Sequence, residues 1–198
     1  MRYKGKDTPF FETPYPLWIL LALPMLPILR DLAMLDTWTK DALRAPISPT
    51  GQYGAWLIII ALMATPLSML FKGRAFPRWL VRNRRYFGVA GFLYGLVHTV
   101  FYLAWRGPLA LNDARSISIL SGWILLAVLL PLAATSTDGM VRRLGPKWKK
   151  LQRWSYVAGA LTFVHWITLH RGTLFVIATL SFLPLVLLVI YRLRRSRR

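Results

Sequence analysis

The chain has 198 residues, is 56% hydrophobic, and carries a net charge of +19 from 26 Lys and Arg against 7 Asp and Glu. That much apolar side chain exceeds what a soluble domain of this length buries, so lipid is the expected solvent; the charge, broken into short runs between apolar segments, reads as contact with anionic membrane lipid and not as a nucleic-acid surface. The lack of cysteine excludes a covalent c-type heme, a thiolate-held iron–sulfur cluster and any disulfide, which leaves His98, His165 and His170, the three histidines, as ligands for a metal centre.

In chain order, six apolar segments are expected to be helices: 15–35, 54–71, 86–105, 117–135, 153–170 and 173–192. The first follows a basic amino terminus, and no small-residue cleavage motif comes after Leu35, so it is expected to be retained. The second holds Pro66 and the fourth Pro131, which neighbouring helices can accommodate. Only the turn at 170–172 separates the fifth and sixth, which predicts a tight antiparallel hairpin. The expected fold is an all-α, six-transmembrane-helix bundle forming one domain over 1–198. Its loops, each under about twenty residues, are too short to fold a catalytic domain, so soluble redox chemistry must come from a partner.

Charge sets the expected orientation. One side receives the basic residues of the amino terminus and of the runs 72–85, 142–153 and 192–198, 20 in all; the other receives Lys40, Arg44, Arg106, Arg115 and Arg171, a total of 5. Cytoplasmic loops hold the excess of Lys and Arg, which predicts a bacterial inner-membrane protein with both termini cytoplasmic.

On this topology the third and fifth helices both run outward, and His98 and His165 each lie 12 residues past the boundaries at Tyr86 and Arg153. At 1.5 Å per residue both rings stand about 18 Å from the cytoplasmic boundary. Two neutral imidazoles at one level are the axial ligand set of a b heme. Gly88, Gly91 and Gly95 share the His98 face at helical spacing, and Ser155, Ala158 and Thr162 share that of His165. These small residues are expected to leave a slot for a flat macrocycle, whereas close helix packing alone would also explain Gly91 and Gly95. His170 falls at the outer rim and is read as a solvated turn residue, with exchange for His165 as iron ligand the lesser alternative.

Three stretches resemble the ferric-reductase-like transmembrane family, most closely its bacterial MsrQ branch of heme-binding subunits of periplasmic protein-methionine-sulfoxide reductase systems. They are Thr50-Gly51 with Thr65-Pro66-Leu67; Arg84-Arg85-Tyr86-Phe87-Gly88 running to His98; and Thr135-Ser136-Thr137 through Leu144-Gly145, Trp148 and Leu151 to Val164-His165-Trp166. The resemblance implies a transmembrane heme subunit that takes electrons from the quinone pool or a cytoplasmic flavin reductase and passes them to a periplasmic molybdopterin-type reductase. It also implies FMN binding. Relatives often carry a second ligand pair one leaflet lower, at positions held here by Arg84 and Gln152. Arginine has no lone pair to offer iron and a glutamine carbonyl is a poor ligand, so a single heme is expected.

The resulting gap of about 20 Å to the cytoplasmic boundary calls for a bridge. A quinone within the membrane, or a flavin near Arg84, Arg85, Trp148 and Gln152, is the expectation, although basic residues and tryptophans at that level also suit any positive-inside anchor. Two other functions stay open: direct reduction of ferric or cupric complexes, and a non-redox scaffold or accessory subunit of a larger membrane complex.

Overall fold

The computed structural model describes residues 14–169 and 172–196, and all described secondary structure is helical. The amino-terminal basic residues, His170 and Arg171 lie outside the described residues. The helices are α1 (Tyr15–Ala22), α2 (Met25–Ala33), α3 (Lys40–Arg44), α4 (Ile47–Leu70), α5 (Ala75–Arg106), a 3-10 turn at Gly107–Leu109, α6 (Ala110–Asp113), α7 (Ile117–Ala134), α8 (Asp138–Leu144), α9 (Pro146–Gln152), α10 (Ser155–Leu169) and α11 (Thr173–Ser196).

Three of the expected boundaries move. The segment 15–35 is two helices bent by 54° at the break before Met25, where Pro24 supplies no N–H and its ring crowds the preceding turn. α4 begins at Ile47 and not at 54, since its first turns are polar and the apolar run starts later than the helix. Those turns are helical all the same, with the Thr50 hydroxyl donating back to the Pro46 carbonyl at 2.6 Å and the Ile47 carbonyl at 3.0 Å. α5 begins at Ala75 and not at 86, and its 32 residues make a rod of about 48 Å, well beyond a hydrocarbon core of about 30 Å. The four arginines of its first third therefore ride on an extension of the helix and not on a loop.

By length and composition, Lys40–Leu70, Ala75–Asp113 and Ile117–Ala134 are long and apolar enough to cross a bilayer, and the bent α1–α2 pair makes a fourth crossing if it acts as one span. The apolar stretch Phe175–Tyr191 of α11 is shorter than that length. Leu180, Leu183 and Leu187 on α11 are about half exposed, an apolar outer face that suits lipid and not water. The chain is a membrane protein.

Four helices form the centre. α4 packs along α5, α7 packs along α10, and the two pairs meet; α11 covers α4 and α10, and α1 covers α5. Lipid tails are as apolar as leucine, so close packing must hold such helices together. The α4–α5 contact shows how: a Cβ on Gly91 would lie 2.9 Å from Ile58 Cγ1 and 3.1 Å from the Gly54 carbonyl oxygen. Ile58, Phe92, Leu129 and Ala158, one from each central helix, make a buried apolar layer across the bundle.

Candidate functional site

His98 on α5 and His165 on α10 face each other across the bundle, with ring centres 6.1 Å apart and ring planes at 89°. The Nδ1–H of His98 donates to the Ile47 carbonyl at 2.8 Å, and that of His165 donates to the Ser118 carbonyl at 2.6 Å. A carbonyl oxygen only accepts, so each Nδ1 carries a proton, and in the neutral imidazole Nε2 then bears the lone pair that a metal needs. Such an outer hydrogen bond also fixes the ring's direction.

The two anchors are built alike on two helices. Within α4, the Thr50 hydroxyl donates to the Ile47 carbonyl and Gly51 lies against His98; within α7, the Ser121 hydroxyl donates to the Ser118 carbonyl and Gly122 lies against His165. A Cβ on Gly51 would stand 2.9 Å from His98 Nδ1, and one on Gly122 would stand 2.6 Å from His165 Cε1. Only a residue without a side chain admits each imidazole so close to the neighbouring helix. Thr50-Gly51 and Ser121-Gly122 thus form a short internal echo that was not visible as a repeat in the sequence. The signal was there in the paired hydroxyl–glycine steps, but nothing marked them as partners of the histidines.

Both rings line a cavity of about 550 Å³, within the usual range for small-molecule sites of about 300–1,000 Å³. Its walls include Ile58, Leu125, Leu126 and Leu129, and Gly91, Gly95 and Thr162 of the expected slot line it too. Gly95 has open space where a Cβ would stand, whereas Gly91 serves the α4–α5 contact. Gly88 and Ala158 stand elsewhere: they line a second cavity of about 310 Å³. A periodic stripe identifies one helix face, but it does not say that all of that face looks into one chamber.

Arg84, Arg85, Trp148 and Gln152 line that second cavity together. Arg84 Nη1 donates to Thr65 Oγ1 on α4 at 2.7 Å, and Gln152 Nε2 donates to the Leu132 carbonyl on α7 at 3.2 Å. Trp148 Nε1 donates to the Thr135 carbonyl at 3.0 Å, and Arg85 pairs with Asp138. Ile58 and Leu129 line both chambers and so stand between them.

The donor set fits a planar metal cofactor. Among the described residues no group of three His, Cys, Asp or Glu converges on one point, so an all-protein cage is absent there and a metal between the histidines would take its other ligands from a macrocycle. The 6.1 Å between ring centres leaves room for a metal that would be held by one nitrogen of each imidazole.

The fold and site define an integral membrane helical bundle with an opposed, backbone-anchored histidine pair inside it. The chain belongs to the ferric reductase like transmembrane component family, whose model matches residues 50–177 and so includes both histidines and both glycines. It is 34% identical over 155 residues to the protein-methionine-sulfoxide reductase heme-binding subunit MsrQ of Ralstonia nicotianae, covering 75% of this chain and 69% of that protein. It is 35% identical over 131 residues to the MsrQ of Rhodospirillum rubrum, covering 63% and 61% respectively. The magnetosome protein MamZ of Paramagnetospirillum magneticum is 33% identical over 133 residues, which cover 62% of this chain and 20% of that protein. No solved structure matches the chain.

Proposed function

We propose that the chain is a membrane electron-transfer subunit that holds one b-type heme between Nε2 of His98 and Nε2 of His165. The observation that carries the reading is the pair of imidazoles with centres 6.1 Å apart, each with its Nδ1–H on a backbone carbonyl. When bound, the heme supplies one-electron redox chemistry; the residues of the chain anchor the ligands, exclude water and set polarity. The names of the MsrQ relatives support heme as the cofactor. Arg84 and Gln152, each engaged with a neighbouring helix, support a single heme.

The proposed route runs from quinol or a cytoplasmic flavin reductase, through the chamber of Arg84 and Trp148, to the heme and on to a periplasmic molybdopterin-type reductase that repairs oxidised methionine. FMN or a quinone is the proposed occupant of the inner chamber, whose cationic rim suits a phosphate or a polar headgroup. The proposed topology is six spans across a bacterial inner membrane with both termini cytoplasmic, α1–α2, α10 and α11 adding to the three long helices; its support is the uneven distribution of Lys and Arg.

The family description favours one further reading, direct reduction of ferric complexes at the outer face. The decisive experiment is a dithionite-reduced spectrum with pyridine hemochrome stoichiometry on the purified chain and on His98→Ala and His165→Ala. One heme per chain, lost in both variants, is expected. Full occupancy with an unchanged spectrum in either variant removes that residue from the site, and a chain without an α band is a scaffold. Steady turnover of ferric chelates by the isolated chain would favour the metal-reductase reading.

A further inference from the structure

The histidine chamber is polarised. Toward the middle of the bundle it closes on Ile58 and Leu129; toward the α5 carboxyl end it is lined by Arg44, Tyr102, Trp105, Arg106 and Asp113. His98, Tyr102 and Arg106 recur every four residues, so they share one face of α5, and Arg106 sits about 12 Å along the axis from the ligand. Asp113 accepts from the Tyr102 hydroxyl at 2.8 Å and from Arg106 Nε and Nη2, each at 2.5 Å. Arg106 is therefore fixed in place, and its charge is balanced by one carboxylate.

Arg44 is different. It reaches the same end from α3, with its guanidinium carbon 5.2 Å from the centre of the Trp105 ring, while that of Arg106 is 5.3 Å from the same centre. Among the described residues no carboxylate forms an ion pair with Arg44. The end of the chamber thus carries two guanidiniums against one carboxylate, with the excess on Arg44. An apolar chamber with a net cationic end has the same polarity as a heme, which bears two carboxylates on one edge and hydrocarbon substituents on the other.

We propose that Arg44, with Trp105 and Arg106 beside it, is the propionate-binding end of the chamber, and that it orients the macrocycle with its carboxylates toward the α5 carboxyl terminus and its hydrocarbon edge toward Ile58 and Leu129. This rests on the heme reading above. Arginine suits the role because its planar fork matches a carboxylate and remains charged. Arg44 is exposed on a five-residue helix, so its replacement leaves the bundle intact.

The test is equilibrium titration of the full chain, produced in heme-deficient cells, with hemin and with hemin dimethyl ester, followed by absorbance. The wild-type chain is expected to bind hemin about tenfold more tightly than the ester, as one hydrogen bond to a charged group implies. Arg44→Gln should weaken hemin by about tenfold and leave the ester unchanged, while Arg44→Lys retains most of the preference. The reduction potential of the bound heme should shift downward in Arg44→Gln, because a lost positive charge disfavours the added electron. Equal binding of hemin and ester by the wild type, or equal loss of both in Arg44→Gln, overturns the propionate assignment alone. A wild-type chain that binds neither overturns the heme reading and this inference with it.

Discussion

Gly122 and His165 stand so close that a single added methyl on the glycine would lie 2.6 Å from the ring, inside any real contact distance. Gly51 and His98 repeat the relationship at 2.9 Å. Gly122→Ala should therefore push the His165 ring off its carbonyl anchor and lower heme occupancy per chain more than Gly51→Ala does, with helical content unchanged. Hemochrome assay of both variants measures this; full occupancy in Gly122→Ala would show that the ring moves without consequence.

Gly91 and Gly88 differ in what stands opposite them. Ile58 and the Gly54 carbonyl crowd Gly91, while Gly88 has nothing within 4 Å of an added Cβ. Gly91→Val should cost about 1–3 kcal/mol through overpacking, seen as a lower Tm in detergent. Gly88→Ala should leave Tm unchanged or raise it slightly, since alanine is the better helix former.

Arg85 and Asp138 pair at the surface, with 21% and 54% of their side chains exposed. Pairs of this kind contribute about 1 kcal/mol or less. Asp138→Asn should accordingly lower Tm by no more than about 4 °C, and 1 M salt should erase most of the difference. A larger fall would mean that Asp138 does more than balance one arginine.

The natural lack of cysteine makes topology directly measurable. Leu111→Cys and Lys150→Cys place single thiols at exposed positions on opposite ends of the bundle. A membrane-impermeant maleimide should label Leu111→Cys in intact spheroplasts and Lys150→Cys only after lysis. The reverse pattern would invert the proposed orientation.

Much of this site could be read from residue order alone, and the reason is geometric. Rise per residue is fixed in a helix, so equal offsets from the charged boundaries set His98 and His165 at one level, whereas Arg84 and Gln152 followed from the family resemblance and Arg85 and Trp148 from the basic segments beside them. The two rings meet even though α5 starts at Ala75, because the offset is counted from the charged boundary and not from where the helix begins. What escaped was everything contributed by another helix. Gly51, Gly122, Arg44 and the carbonyls of Ile47 and Ser118 matter only through which neighbour faces them, and a helix's own periodicity carries no record of the register of its neighbour. The polar turns 47–53 were lost for a related reason: an apolar-run criterion discards a helix whose polar side looks inward.

The layer of Ile58, Phe92, Leu129 and Ala158 offers no oxygen or nitrogen side chain along which a proton could hop. An electron needs no such chain, since it can tunnel through hydrocarbon. On the route proposed above, such a layer would pass electrons between the two chambers while offering protons no side-chain path, so that traffic need not discharge the proton gradient of the membrane.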